Sequence, residues 1–541
     1  MPNKNNEPDF DAIVVGAGVS GIYQIKRLLD LGLNAIVLEA AADVGGTWYH
    51  NRYPGARFDS ESVSYGYSFS KEILDRWHWK ERFSAQPENL RYLNFVVDTF
   101  GLRPHMHFNC RVSSAQFDEA QNVWHVVDSA GKERTCRFLI LCLGLLSVPT
   151  QPHYEGADAF KGQQFHTYAW PKEPVDLAGK KVGVIGTGAT GIQVIADIAD
   201  KVVELVVFQR RPNWSVPLNN APISEAEMAQ LRTRYDEIFA ACAASPGGFV
   251  HRPQEKSFYD ASREERIALW DRLYGGSGFG LWMGNYPEIL TDEAANAELS
   301  AYVADRIRQR VHDPAIAEKL IPTDHGFGVQ RLPLETRYFE VYNRDNVRLV
   351  DLRDTPIERI TETGIQVTGH HYDLDLIVYA TGFDAITGAF DKIDIRGIGG
   401  VTLNEKWKDG PSTFYGLLVR GFPNLLMGTG PQSASASANY PRGIEVNVNW
   451  CTDLISHMQK HGLVRVEASK DGEERWTEHV RKMYSLVLMR KAKSWFTGYN
   501  SNIAGREHGK TRYMVYNGGM VRYASYVRAE AENGYQKLSF L

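Results

Sequence analysis

Two stretches of this chain repeat one pattern: a short apolar strand, then G-x-G-x-x-G, then a helix. The first runs Asp11-Ala-Ile-Val-Val15, Gly16-Ala-Gly18-Val-Ser-Gly21 and a helical pattern to about Leu31. The second runs Lys181-Val-Gly-Val-Ile185, Gly186-Thr187-Gly188-Ala-Thr-Gly191 and a helix to about Ala199. In such a unit the first glycine permits a tight turn and the second lets backbone approach a pyrophosphate. The third lets helix pack closely on strand, and the helix N-terminus faces the phosphates. The pattern predicts an α/β chain with two doubly wound, Rossmann-like dinucleotide-binding domains. At 541 residues, 43% of them hydrophobic, the chain can bury a large interior and divide into several lobes.

The residues at the end of each unit's second strand separate the two sites. The strand Asn34 to Leu38 ends in Glu39, whose carboxylate can accept hydrogen bonds from both ribose hydroxyls; this suits the ADP half of FAD, or an unphosphorylated NAD. The strand Glu204 to Phe208 runs into Gln209-Arg210-Arg211, whose guanidinium groups can neutralise a 2′-phosphate and so favour NADPH. The plainer alternative is that Arg210 and Arg211 only cap a strand at the surface. Two different dinucleotide sites imply hydride transfer from a pyridine nucleotide to a flavin. Asp373 to Asp384, with Thr381-Gly382, resembles the A-T-G strand that closes the flavin domain of two-dinucleotide flavoproteins, and Phe422 to Pro431 resembles its last strand and loop. The FAD domain is therefore expected to be discontinuous. Residues 1–150 and 381–541 form it, with a C-terminal lid; 151–220 and 336–380 form the NADPH domain, and 221–335 a helical insert.

Two further segments narrow the reaction. Phe160-Lys-Gly162-Gln-Gln-Phe-His166-Thr-Tyr-Ala-Trp170-Pro171 reads F-x-G-x-x-x-H-x-x-x-W-P, and Gly45-Gly46-Thr47-Trp48-Tyr-His-Asn-Arg-Tyr53-Pro54-Gly55-Ala-Arg-Phe-Asp59 reads G-G-x-W-x(4)-Y-P-G-x(3)-D. Both resemble the fingerprints of type I Baeyer-Villiger monooxygenases, flavoenzymes that insert one oxygen atom of O2 beside a ketone carbonyl. Physically, Gly45 and Gly46 let the backbone lie near the flavin, Trp48 supplies a flat apolar wall, and Pro54-Gly55 turns the chain so that Asp59 points inward. Without the resemblance, Asp59 reads as a loop carboxylate solvated or bonded to Ser60 and Ser62.

The resemblance implies that Arg331, in Phe327-Gly-Val-Gln330-Arg331-Leu-Pro333, is the partner of Asp59. It implies FAD bound by Gly16, Gly18, Gly21, Glu39, Gly46, Thr47, Trp48, Asp59, Thr381 and Gly382. NADPH is held by Gly186, Thr187, Gly188, Gly191, Arg210 and Arg211, with Trp495 folded over the nicotinamide. NADPH reduces FAD, O2 forms a flavin C4a-peroxide, and an ester or lactone leaves. A buried guanidinium at Arg331 lowers the peroxide pKa and stabilises the oxyanion of the adduct, while Asp59 holds it in place. His166 and Trp170 are expected to position domains rather than move protons.

Three departures from the family pattern matter. Gln330 stands where many relatives place a lysine associated with the 2′-phosphate, which weakens the expected selectivity over NADH. Gly430 to Pro441 is built from small residues, which leaves room for a bulky or cyclic ketone or makes a loop that never meets it. Asn500 to Lys510 is longer than a compact N-I-P-G-K turn, so the lid differs in length and order. Capping boxes at Ser224 to Glu227 and Ser262 to Glu265, and an amphipathic run from Thr291 to Val311, mark the insert as helical, with no residue of identifiable chemistry.

The remaining composition excludes other classes. Net charge is -5, with no Lys/Arg block to track a phosphate backbone or an anionic membrane. Five scattered cysteines form no C-x-x-C pair and no metal-ligand cluster, which argues against zinc or a redox disulfide. The polar N-terminus offers no secretory h-region, and the longest nearly apolar run, Phe138 to Val148, is far short of the ~20 residues that span a bilayer. A cytoplasmic protein is expected, a monomer or weak oligomer, acting on a small-molecule ketone and O2. The alternatives are a flavin-dependent N- or S-oxygenating monooxygenase and an FAD/NADPH redox sensor without productive oxygenation.

Overall fold

A computed structural model describes residues 7–507 and 510–541. The first six residues of the polar N-terminus, His508 and Gly509 of the Asn500 to Lys510 stretch, and the side chains of Ser435 and Ala436 lie outside the described residues.

The first glycine loop opens an eight-stranded sheet. Phe10–Val15 pairs in parallel with Ala35–Leu38 on one side and Glu133–Leu141 on the other, with Val14 opposite Val37 and Ile140. These strands are apolar on both faces because helices cover one side and the strands Val112–Asp118 and Val123–Asp128 pack over the other, the condition for a parallel sheet. Glu133–Leu141 is long enough to share its second edge. Its N-terminal half pairs antiparallel with Val123–Asp128, and its C-terminal half pairs parallel with Leu425–Met427. The chain segment near 425 therefore returns to the sheet begun at residue 10.

The second glycine loop opens an all-parallel five-stranded sheet in the order Val347–Asp351, Glu204–Gln209, Lys181–Ile185, Leu376–Tyr379, Gln163–His166. The resemblance of Asp373 to Asp384 to a strand that closes the flavin domain is corrected here, whereas the 336–380 bounds of the second unit are not. The strand before Thr381 does not close the first sheet; Leu376–Tyr379 is buried in the second, between the strand of the second glycine loop and the fingerprint strand ending at His166. An apolar strand at the end of an inserted segment must pair with that segment's own sheet before the chain leaves, and only the residues after Tyr379 cross over. A three-stranded antiparallel sheet, Ile357–Ile360, Gly364–Val367 and His370–Asp373, covers one face of the second sheet.

The chain crosses between the sheets twice, and the crossings run side by side. Asp384 N–H donates to Val148 O at 2.8 Å and Thr150 N–H to Gly382 O at 2.9 Å. The two threonines bond reciprocally, Thr150 Oγ1 to Thr381 O at 3.0 Å and Thr381 Oγ1 to Thr150 O at 2.5 Å. His166 seats here too: its Nδ1 accepts from Tyr168 N–H at 3.1 Å, and its ring meets Phe383 edge-on at 6.0 Å.

The insert is helical. Arg263–Gly275 carries the full capping box of Ser262 and Glu265, whereas Ser224 only accepts from Glu227 N–H and the long helix Glu293–Arg310 is capped by Asp292. Among the described residues no helix is long and apolar enough to cross a membrane.

The reciprocal threonine bonds should couple the crossings. In a double-mutant cycle of Thr150→Val and Thr381→Val, denaturant unfolding is expected to show a coupling of about 1 kcal/mol; additive effects would mean that the two hydroxyls act independently.

Candidate functional site

A cavity of about 630 Å³ lies where the two sheets and the insert meet. Gly16, Gly18 and Glu39 of the first unit line it, as do Gly46, Thr47, Trp48 and Asp59, and Arg331 and Trp495. Six residues of the second unit's expected set, Gly186, Thr187, Gly188, Gly191, Arg210 and Arg211, do not line this cavity, although Ala189, Thr190 and Gln193 of the same helix do.

The two glycine loops are built alike. Gly16 and Gly186 take φ of 105° and 107°, and a Cβ on either would lie 2.5 Å from a carbonyl oxygen beneath, that of Cys142 or Ala380. Gly21 and Gly191 face the first glycine's own carbonyl at 1.8 and 2.1 Å from such a Cβ, so only glycine lets helix meet strand. Gly188 has open space where a phosphate could approach, and Gly18 looks toward Gly46. Glu39 is buried, and its two oxygens accept from Ala17 N–H at 2.6 Å and Ala41 N–H at 2.7 Å. Each carboxylate oxygen keeps a further lone pair for a ribose hydroxyl. Thr187 spends its hydroxyl on Arg211 O at 3.0 Å, which brings the cation pair to the second loop. This donor set fits two dinucleotides. Thr381 and Gly382, by contrast, are used in the crossing and do not line the cavity.

The charged pair comes from positions 272 residues apart. Asp59 Oδ2 accepts from Arg331 Nη2 at 3.2 Å and from Leu334 N–H at 3.4 Å, while Oδ1 is buried with no hydrogen-bond partner among the described residues. Ser60 and Ser62 do not bond Asp59; Ser62 Oγ donates to Glu81 O. Asp59 is 6% exposed and Arg331 34%. Burial raises the Asp59 pKa, and the Arg331 charge pulls it back. Arg331 Nη1 also donates to Leu332 O, and the guanidinium stands 4.9 Å from the Phe279 ring and 6.0 Å from the Trp282 ring.

Phe279 and Trp282, which also line the cavity, come from the insert in which the sequence showed no residue of identifiable chemistry. Their signal is the aromatic content of the glycine-rich run Gly275 to Gly284, which has no helical periodicity to explain it.

The Tyr53-Pro54-Gly55 turn does more than aim Asp59. Tyr53 Oη donates to Gln193 Oε1 at 2.8 Å, Gln193 Nε2 donates to Arg57 O at 3.0 Å, and a Cβ on Gly55 would lie 2.7 Å from Gln193 O. The turn thus docks on the helix of the second glycine loop. The fingerprint makes a second dock: Tyr168 stacks on His50 with centroids 4.4 Å apart. Burial, with Arg52 and Arg111 nearby, pushes His50 down to about 4, so this imidazole is neutral at neutral pH. Trp48 Nε1 donates to Tyr65 Oη at 2.9 Å, and Phe58 stacks on Tyr65 at 3.9 Å to complete an apolar wall.

Comparison with known proteins defines the class. Residues 11–237 match the family model described as flavin-binding monooxygenase-like. The chain is 43% identical over 541 residues to the 2-oxo-Δ3-4,5,5-trimethylcyclopentenylacetyl-CoA monooxygenase of Pseudomonas putida, covering 99% of both chains. It is 40% identical to a Baeyer-Villiger monooxygenase of Pseudooceanicola batsensis, over 98% of this chain and 96% of that one. It is 39% identical to a phenazine N-monooxygenase of Lysobacter antibioticus, over 98% and 97%. A solved structure of OTEMO in complex with FAD and NADP superposes with a TM-score of 0.94 at 42% identity, over 99% of this chain and all of that one. The chain is a flavin-binding monooxygenase of the two-dinucleotide type. Within that class it belongs to the Baeyer-Villiger monooxygenase family.

The charge pair makes a signed prediction. A carboxylate whose folded pKa lies above its unfolded one contributes fully below the unfolded pKa and loses that contribution as pH rises through the folded value. Arg331→Met removes the counter-charge and lifts Asp59 further. The stability deficit of this variant, from urea unfolding, should therefore widen as pH rises above the ordinary carboxylate range. It should reach about 2 kcal/mol, below the value for a fully buried pair because a third of Arg331 stays in water. Adding Asp59→Asn should abolish the pH dependence.

Proposed function

We propose that this protein oxidises ketones to esters or lactones, with FAD, NADPH and O2. The observation that carries the reading is the Asp59–Arg331 pair on the wall of the cavity that also holds Gly18, Glu39 and Trp48. When bound, FAD reduced by NADPH activates O2 and delivers one oxygen atom to the substrate.

The side chains supply the rest. Glu39 takes the ribose hydroxyls of FAD, and Gly46, Thr47 and Trp48 shape the cavity beside its ring. Gly186, Gly188 and Gly191 cradle the pyrophosphate of NADPH, and Arg210 and Arg211 meet its 2′-phosphate. Arg331 places a permanent positive charge where a carbonyl oxygen becomes an alkoxide; the Phe279 and Trp282 rings shield that charge from water, which strengthens its effect. Asp59 fixes the guanidinium and partly offsets its charge. Trp495 walls the nicotinamide side.

Ser437, Ala438 and Tyr440 of the small-residue loop line the cavity, and the first two leave space that larger side chains would fill. This favours a bulky or cyclic ketone. With Gln330 in place of a lysine, preference for NADPH rests on Arg210 and Arg211. The enzyme works in the cytoplasm, as a monomer or weak oligomer, on a small molecule and without nucleic acid or membrane; its five buried free cysteines suit a reducing compartment. Oxygenation of a ring nitrogen is the second reading, favoured by the likeness to the phenazine N-monooxygenase.

The test is a mixture of ketones, amines and sulfides turned over with NADPH and heavy O2, read by mass spectrometry. One heavy oxygen in an ester or lactone is the expected result. Label confined to N-oxides or sulfoxides would select the second reading, and NADPH consumed only to hydrogen peroxide would remove both. In the same assay Arg331→Met should lower ester formation about 10²–10³-fold while NADPH oxidation continues.

A further inference from the structure

The C-terminal strap brings a third cation to the end of the second sheet. Lys493 precedes the single turn Trp495–Thr497, which ends in Gly498 with φ of 80°. That turn folds the chain back, and Tyr499 N–H donates to Ser494 O at 3.1 Å. The Tyr499 ring then lies 6.0 Å from Lys493 Nζ and 5.5 Å from Arg211 Cζ, so both cations share one aromatic ring. Arg211 Nη2 also reaches Lys493 O at 3.4 Å.

Carboxylates are scarce here. Arg211 has Asp324 at 3.4 Å, but His325 Nδ1 holds the same side chain at 2.6 Å. Neither Arg210 nor Lys493 has an ion-pair partner among the described residues, whereas the neighbouring Lys491 pairs with Glu293. Converging cations without matching acids repel one another, and an anion relieves that repulsion. The strap therefore has a reason to close when an anion arrives.

We propose that Lys493 completes, with Arg210 and Arg211, a three-cation cradle for the 2′-phosphate of NADPH. Gripping that phosphate seats the turn bearing Trp495 against the cavity. The inference rests on the assignment of NADPH to the second glycine loop. Lys493 is a specificity residue for the phosphate and a positioning residue for Trp495, two positions on. A nucleotide lacking the 2′-phosphate leaves the strap without this anchor.

The test uses flavin-loaded protein at low ionic strength, where surface charges are least screened, and two probes, adenosine 2′,5′-bisphosphate and adenosine 5′-diphosphate. Calorimetry on Lys493→Ala should show binding of the 2′-phosphorylated probe weakened about tenfold and that of the other changed by less than about twofold, with Lys493→Arg restoring the difference. Hydrogen exchange of residues 488–507 should slow with the 2′-phosphorylated probe in the parent protein and not in Lys493→Ala. Equal weakening for both probes, or none for either, would overturn the role of Lys493. Arg210→Gln in parallel separates the two claims: if it loses discrimination and Lys493→Ala keeps it, only the strap's part falls. If both variants keep it, the assignment of NADPH to this site falls as well.

Discussion

A carboxyl as buried as that of Asp59 stays ionised without a large cost only beside a cation, and the cation here comes from a different lobe of the molecule. That pairing sets the terms for its surroundings. Asp59 sits at the end of a loop whose Tyr53-Pro54-Gly55 turn is docked on the helix of the second glycine loop, so the carboxylate's position depends on how the two sheets sit together. Arg331 leaves the insert with Phe279 and Trp282 against it and its own Leu332 carbonyl as a second anchor. A fixed charge of this kind acts on a reacting carbonyl without reorganising, which is why its orientation matters more than its strength.

The two crossings between the sheets hold this geometry. Inserting one nucleotide unit into another requires the chain to leave and return, and here the outgoing and returning strands bond to each other through backbone and threonine hydroxyls. The fingerprint segment packs onto that seam: His166 lies against Phe383, and Tyr168 stacks on His50. None of the three conspicuous fingerprint residues, His166, Trp170 and Pro171, lines the cavity. The segment's chemistry is that of a joint: Tyr168 stacks on the neutral His50 imidazole, and His166 bonds to backbone.

The two glycine loops show how similar backbones acquire different ligands. Their first and third glycines meet carbonyl oxygens at nearly the same distances, so the cradle is shared. The difference lies one strand away. Glu39 turns both oxygens into a buried turn, while Arg210 and Arg211 end their strand with cations that have too few acids around them. In the proposed reading the first unit suits ribose hydroxyls and the second a phosphate, with the strap's Lys493 extending the second.

Much of this was legible in the sequence because it is local. Glycine spacing, apolar strands and the acid or base at a strand's end depend on residues within about thirty positions of each other, and steric and electrostatic rules act directly on them. The pairing of Asp59 with Arg331 was reached through resemblance, since no local rule links positions so far apart. Three features only the tertiary structure decided: Leu376–Tyr379 sits between Lys181–Ile185 and Gln163–His166, two aromatics of the insert flank Arg331, and Tyr499 draws Lys493 and Arg211 together. An apolar strand carries no mark of which strands will flank it, and an aromatic ring or a lysine carries no mark of its neighbour. Those choices are made by how the lobes close on one another, where burial and charge balance are settled over the whole chain.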